Sequence, residues 1–315
     1  MSSAPLHVQN ILIPTDFSAC ADHALTHAVD LASRFGAELH ILHVVNELDP
    51  EWYGLAEVQA NAPRLRERIR KVATERLEAR ANGDGKASDV ATTVSLQLSF
   101  SVASTIEEYI HERSIDLLVM GTHGRRGVER LMLGNVADKI VRHASCPVIT
   151  VSEQAPWEQR NQDLSDILVP IDFSASSKQA LALAKQVGRL YPDPHLHLMF
   201  VSEKRTVPTF SDTGMPGVSV IEMDPDIVAN AEKALEQLGT STGDPDIPLS
   251  TVVEQGHVAE SIVNYTEENG VDMIVMATRG LTGLDHFILG STTERVVRVA
   301  SCPVLTFHGN EDGAP

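Results

Sequence analysis

The residues best suited to chemistry lie in two glycine-bearing stretches. The first passes from Gly121 through His123, Gly124, Arg125, Arg126 and Arg130 to Gly134 and Asn135. The second passes from Ala277 through Arg279 and Gly280 to Gly290, Ser291, Thr292 and Thr293. Both fit small-x2-Gly-x9-Gly-[Ser/Asn], and each follows an apolar run that ends at Met120 or Met276. Glycine lets a backbone approach a ligand closely, so successive N–H groups can converge on an anion. Where the last glycine meets the start of a helix, free amides and the helix dipole add to that attraction. Ser291 with Thr292 or Thr293 supplies hydroxyls for a phosphate or for Mg2+. Asn135, Val136 and Ala137 offer no hydroxyl at the matching place, which predicts a weaker phosphate and metal end there. Neither G-x4-G-K-[ST] nor G-x-G-x-x-G occurs in the chain.

That the pattern occurs twice reflects duplication of the whole chain. Asp172 follows Asp16, Asp272 follows Asp116 and Cys302 follows Cys146 by the same 156 residues, each inside a matching segment. A repeat of that length is a domain, because solenoid units run to about 20–50 residues. The reading is a first domain at 1–154, a linker at 155–165 holding Pro156, and a second domain at 166–315.

Each copy alternates strand and helix. In the first, Ile11–Pro14 reads as a strand and Ser18 caps a helix to Phe35, with Gly36 ending it. Strands follow at Leu39–Val45, Val90–Leu98, Leu117–Met120 and Val148–Val151. Helices are predicted from about Glu57 to Ala81, over Val102–Arg113 and over Asn135–His143. Unbroken Val/Ile/Leu strands separated by helices imply a parallel sheet covered on both faces. The fold class is therefore α/β, with two tandem five-stranded doubly wound parallel sheets flanked by helices. Ligands of such sheets sit beyond the carboxyl ends of the strands, at the topological switch point. Those ends carry Pro14, Thr15, Asp16, Val44 and Met120 in one copy, and Pro170, Ile171, Asp172, Phe200 and Met276 in the other. Val207–Asp226, with its prolines and glycines, reads as a mobile surface loop near the second site.

Composition narrows the function. With 43 acidic against 25 basic side chains the net charge is −18, which argues against binding nucleic acid or anionic lipid nonspecifically. Without a signal peptide or a membrane-length apolar run, a cytoplasmic location is expected. Cys20, Cys146 and Cys302 form no C-x-x-C pair and read as small buried apolar side chains.

The Pro-[Thr/Ile]-Asp-Phe-Ser segments at Pro14 and Pro170, the glycine loops and the closing Ser-Cys-Pro-Val segments together resemble the universal stress protein family, in both copies. The resemblance implies a Rossmann-like sheet and ATP, with Mg2+ accompanying it. By that resemblance Asp16 and Asp172 meet the base or ribose, beside Val44 and Phe200. Gly121, His123, Gly124, Gly134, Asn135 and Val136 line the first phosphate end. Ala277, Arg279, Gly280, Gly290, Ser291, Thr292 and Thr293 line the second, which is expected to be the better site. It further implies stress response or signalling through nucleotide-dependent conformation, and pairing of the two copies through their last strands. A homodimer of chains is compatible with it. Alternatives are a slow ATPase or hydrolase and a nucleotide-free scaffold dimer.

Plainer readings stand beside these. Asp16 and Asp172 could cap the helices that follow them. Arg125, Arg126 and Arg130 are either phosphate grips or solvated loop charges. The arginines between Arg64 and Arg80 read as an exposed helix face. His23 and His27, one turn apart, and His195 and His197, alternating on one strand face, lack a visible third ligand and read as surface histidines. No nucleophile–base–acid trio emerges, so dedicated catalysis is not indicated, and no resident metal site is predicted.

Overall fold

The computed structural model describes residues 7–46, 63–64, 66–68, 70–71, 75, 90–123, 133–152, 164–203, 205–210, 216–221, 225–241, 247–279 and 289–309. The first half begins with β1 (Asn10–Pro14), whose Ile11, Leu12 and Ile13 are buried on both faces. The Ser18 hydroxyl then accepts the Ala21 N–H at 3.2 Å and starts α1 (Ala19–Phe35). Gly36 ends that helix in the left-handed region, φ 65°, where a side chain would be strained. There follow β2 (Glu38–Asn46), β3 (Thr92–Ser99), α2 (Val102–Glu112), β4 (Leu117–Gly121), α3 (Asn135–His143) and β5 (Val148–Val151).

The second half repeats the order with β6 (Asp166–Pro170), α4 (Ala175–Gly188) and β7 (His195–Glu203). It inserts β8 (Arg205–Phe210) and β9 (Pro216–Ile221), then continues with α5 (Pro225–Ser241) and β10 (Leu249–Gly256). It closes with α6 (Val258–Asn269), β11 (Met273–Ala277), α7 (Ser291–Val299) and β12 (Val304–Phe307).

One ten-stranded sheet runs through both halves in the order β10-β7-β6-β11-β12-β5-β4-β1-β2-β3. Within this sheet the pairings inside each half are parallel, and β5 meets β12 antiparallel at the seam. β1 lies between β2 and β4, and β6 between β7 and β11, so each half has its switch point there. Asp116 and Asp272 brace these junctions from the opposite edge. Each carboxylate accepts two backbone N–H groups, from Gln9 and Asn10 and from Ser165 and Asp166, at 2.8–3.0 Å.

On one face a single apolar cluster spans the halves, joining α1 and α4 over the central strands. On the other face each half has its own cluster. Leu289 of the second half belongs to the first half's cluster, and its repeat partner Leu133 packs against both. Polar contacts also cross the seam. Tyr191 donates to Asp30 at 2.8 Å, and Arg34 bonds Asp30 while its guanidinium lies 3.9 Å from the Tyr191 ring. Arg142 reaches Glu294 at 3.0 Å.

Two expectations change. Residues 207–226 are not simply a loop. β8 and β9 form an antiparallel hairpin, from Arg205 opposite Ile221 to Phe210 opposite Pro216, and α5 starts at Pro225. In a two-stranded ribbon every strand is an edge, so Pro208 and Pro216 cost few ladder bonds and their presence did not forbid strands. The constant offset also breaks locally. Pro14 is opposite Leu42 and Pro170 opposite Met199, an offset of 157 in β7, because the turn before β7 is one residue longer. The structural counterpart of Phe200 is therefore His43, and that of Val44 is Val201. A one-residue slip changes the face of the sheet: Val44 and Val201 pack on the α2/α6 side, Phe200 on the opposite side.

Candidate functional site

At each switch point the chain leaves the first strand through a strained turn. Thr15 N–H bonds the Leu42 carbonyl and Ile171 N–H the Met199 carbonyl, both at 2.8 Å, so strand pairing continues to that point. Phe17 and Phe173 then adopt φ 63°, a left-handed conformation that bulky side chains rarely accept. Such strain is of order 1–3 kcal/mol and persists where the surroundings over-determine it. Here Oδ1 of Asp16 and of Asp172 accepts the N–H two residues on, from Ser18 and Ser174, at 3.0 Å. Both aspartates thus brace the entry to the following helix while standing at the switch point. Aromatic neighbours support the turn: Phe17 lies 4.8 Å from the His43 ring, and Phe173 lies 5.3 Å from Phe200.

His43, which the sequence did not single out, donates through Nδ1 to the Thr15 carbonyl at 2.6 Å. A constant offset of 156 pairs Phe200 with Val44, so spacing alone does not mark His43. Arg68 is exposed, as expected, and its guanidinium stands 4.7 Å from the Phe17 ring, which adds positive charge beside that turn.

The second wall is the strand-to-helix connection. Gly134 and Gly290 are the N-caps of α3 and α7, and neither helix has a side-chain cap among the described residues. Gly134 N–H bonds the Thr122 carbonyl and Gly290 N–H the Thr278 carbonyl, each at 2.9 Å. The first helical bonds are Asp138 N–H to Gly134 and Glu294 N–H to Gly290. The amides of residues 135–137 and 291–293 therefore have no acceptor within their helices. Glycine is needed here for space and not for backbone angle, since φ is −60° at both. A Cβ at Gly134 would sit 3.1 Å from the Thr122 oxygen, and one at Gly290 3.2 Å from that of Thr278.

Beside these helix starts lie two buried nitrogens with no hydrogen-bond partner among the described residues, Nε2 of His123 and Nε of Arg279. They occupy equivalent positions and are the donor chemistry an anion would satisfy. In the second half burial, then Arg279 and His143, hold the His308 imidazole below its ordinary pKa.

Gly121 and Ala277 close β4 and β11. A Cβ at Gly121 would meet Cys20 Sγ at 2.9 Å; in the second half Ser176 takes the place of Cys20, and Ala277 that of Gly121. Met120 and Met276 stand one residue before those ends, and Pro14 and Pro170 end β1 and β6 at the same edge. Val136 packs into the apolar cluster beneath α3. Thr293 does not fit a ligand role: it is 3% exposed and its hydroxyl donates to the Ala277 carbonyl at 3.0 Å. Ser291 is exposed and Thr292 half-buried, so they keep hydroxyls available at this end. Gly124, Gly280, Arg125, Arg126 and Arg130 lie outside the described residues.

The three cysteines are free and buried, and burial pushes the Cys146 thiol up to about 12. His27 is buried, contrary to its reading as a surface group; its helix face turns toward the apolar cluster. Among the described residues no helix is long and apolar enough to cross a membrane.

The universal stress protein family profile matches residues 7–152 and again residues 164–308. A universal stress protein of Synechocystis sp. is 26% identical over 95% of this chain and 100% of its own length. One from Mycobacterium bovis is 24% identical over 96% of this chain and 98% of its own. The crystal structure of a universal stress protein from Archaeoglobus fulgidus superposes with a TM-score of 0.65 at 21% identity, covering 98% of this chain and 99% of that one, which is a likeness of fold.

Proposed function

The chain belongs to the universal stress protein family in tandem form, and from that premise we propose that it binds ATP at its two switch points and acts in stress response or signalling through nucleotide-dependent conformation. The observation that carries this reading is the pairing, in both halves, of a helix N-terminus without a side-chain cap and a buried nitrogen, His123 Nε2 or Arg279 Nε, without a hydrogen-bond partner among the described residues. Three free amides and a donor side chain offer an anion what a phosphate needs.

The triphosphate would lie on residues 134–136 in the first half and on residues 290–292 in the second. Adenosine would lie toward Asp16 or Asp172 and the turn that each braces. Mg2+ suits the second half, where Ser291 and Thr292 supply oxygen ligands; Asn135 offers one amide oxygen in the first. Bound there, the ion would neutralise phosphate charge. The second site is the tighter one, because Arg279 carries a permanent charge where the first half has His123.

Leu133 and Leu289 give nucleotide a path to conformation. Each directly precedes a helix-capping glycine and packs against the other half, so a shift at either helix start bears on the neighbouring core. The test is nucleotide released from denatured protein, followed by calorimetric titration of the stripped chain with Mg-ATP. Two binding events of unequal affinity are expected. A flat titration together with an empty chromatogram eliminates the proposal.

A further inference from the structure

At the opposite, amino-terminal edge of the second half's sheet, three side chains converge. Asp166 opens β6 and His195 opens β7 directly opposite it, with His197 two residues along on the same face. Asp166 Oδ1 lies 2.9 Å from His197 Nε2 and 3.4 Å from His195 Nδ1. One ligand atom from each of the three residues lies within 4.8 Å of the others. The sequence alone gave the histidines no third partner, because Asp166 lies 29 residues before His195 and only strand pairing joins them.

The outer nitrogens of both rings are already engaged. His195 Nε2 contacts the Ser250 hydroxyl at 2.6 Å, and His197 Nδ1 contacts the Tyr265 hydroxyl at 2.9 Å. This is how metal-binding imidazoles are aimed: a partner on one nitrogen fixes the ring and leaves the other facing the ion. Where those hydroxyls accept, the inner nitrogens present lone pairs to a carboxylate, an arrangement that repels unless a cation lies between them.

We propose that Asp166, His195 and His197 form a site for a divalent transition-metal ion of the zinc type. Two imidazoles and one carboxylate suit Zn2+, Co2+ or Ni2+ better than Mg2+ or Ca2+, which prefer oxygen throughout. Tetrahedral zinc at about 2.0–2.1 Å from its ligands spaces them about 3.3 Å apart, close to the 2.9 and 3.4 Å seen here. Asp166 and His195 side chains are 35% exposed, so water completes the coordination and His195 has room to adjust. The site is separate from any Mg2+ that travels with nucleotide, since β6 alone spans about 17 Å to the opposite edge.

The first half provides an internal contrast. There Asn10, Glu38 and His40 stand at the same places, with Tyr109 again on the histidine at 3.1 Å and Asn10 Oδ1 3.3 Å from His40. An amide replaces the central carboxylate and a half-exposed glutamate replaces a histidine, so this half lacks the donor set.

The full chain, purified without a polyhistidine tag, is titrated with Zn2+ against a chromogenic chelator, and its Co2+ adduct is recorded in the visible. One tight equivalent and a strong tetrahedral-type Co2+ absorption are expected. Asp166→Asn, which places the first half's own residue at that position, and His195→Gln should each weaken Zn2+ at least about 100-fold. Tyr265→Phe should weaken it about 10-fold through loss of ring orientation. Circular dichroism and the Mg-ATP titration, unchanged in all three, show that the fold and the other site persist. Zn2+ held equally by wild type and the Asp166→Asn/His195→Gln double variant overturns the assignment. So does a Co2+ adduct with only the weak spectrum of the hydrated ion, which would leave a hydrogen-bonded imidazole–carboxylate cluster in its place.

Discussion

Replacing Gly290 by valine tests the phosphate end of the second site most directly. The first atom added, Cβ, would stand 3.2 Å from the Thr278 carbonyl oxygen and 3.9 Å from Thr293 Oγ1. That same carbonyl accepts the Gly290 N–H at 2.9 Å, so it must shift by a few tenths of an ångström against its own bond. Weakening one backbone bond costs about 1 kcal/mol of stability, which a domain of this size tolerates. The two γ-methyls are expected to do the functional damage, by crowding the amides at the start of α7 that have no acceptor within the helix. A hydrogen bond from an amide to a charged oxygen contributes about 1.5–3 kcal/mol. Losing one amide therefore lowers affinity at least about 10-fold, and losing two lowers it beyond 100-fold.

Calorimetry with Mg-ATP should show two sites in the wild type and only the weaker one in Gly290→Val. Gly134→Val should leave only the tighter one. Gly290→Ala, which adds Cβ alone, should keep both sites with a modest loss of affinity. If Gly290→Val melts as a folded protein yet retains both binding events at wild-type affinity, phosphate does not sit at this helix start and the site assignment fails.

Three further outcomes follow from the packing. Leu289→Ala removes a side chain that is 4% exposed within the first half's cluster, and should cost about 2–5 kcal/mol in urea denaturation; a loss under about 0.5 kcal/mol would show that the halves do not exchange this side chain. Tyr191→Phe deletes the hydroxyl on buried Asp30 and should cost about 1.5–3 kcal/mol while leaving ATP affinity alone; equal stability would contradict the cross-seam contact. Burial, and then the nearby His23, lower the His27 pKa from 6.5 to about 3. The folded state therefore holds His27 neutral while the unfolded chain protonates it. Its stability contribution is complete above pH 6.5 and falls by about 1.4 kcal/mol per pH unit between there and about pH 3. Denaturation midpoints at pH 7 and pH 5.5 should separate less in His27→Leu than in wild type; equal separation refutes the buried neutral ring.

Much of each half was legible because its signals are local. Ser18 and Ser174 cap their helices, Gly36 ends α1 in a left-handed turn, and Gly134 and Gly290 sit at helix starts, all as their residue types and flanking patterns predict. The β8–β9 hairpin was missed because prolines and glycines weigh against strands only where a ladder must be complete. Val44 and Phe200, 156 residues apart, are not equivalent in register, because the turn residues Pro192, Asp193 and Pro194 carry one more position than the first copy has, and similarity on either side hides it. Thr293 looked like a ligand by type, and only its packing turns the hydroxyl onto Ala277.

Duplication, the alternation of strands and helices, and the turns where small residues let the backbone close up are all legible in residue spacing alone. Each is written in the spacing of neighbouring residues, and burial period and backbone sterics act over a few positions. The tertiary structure alone decided that β5 meets β12 antiparallel, that Leu133 and Leu289 reach across the seam, and that Asp166 stands beside His195 and His197. Those neighbours are set by strand order and register. Both depend on the combined packing and hydrogen bonding of segments far apart in the chain, which no local pattern encodes.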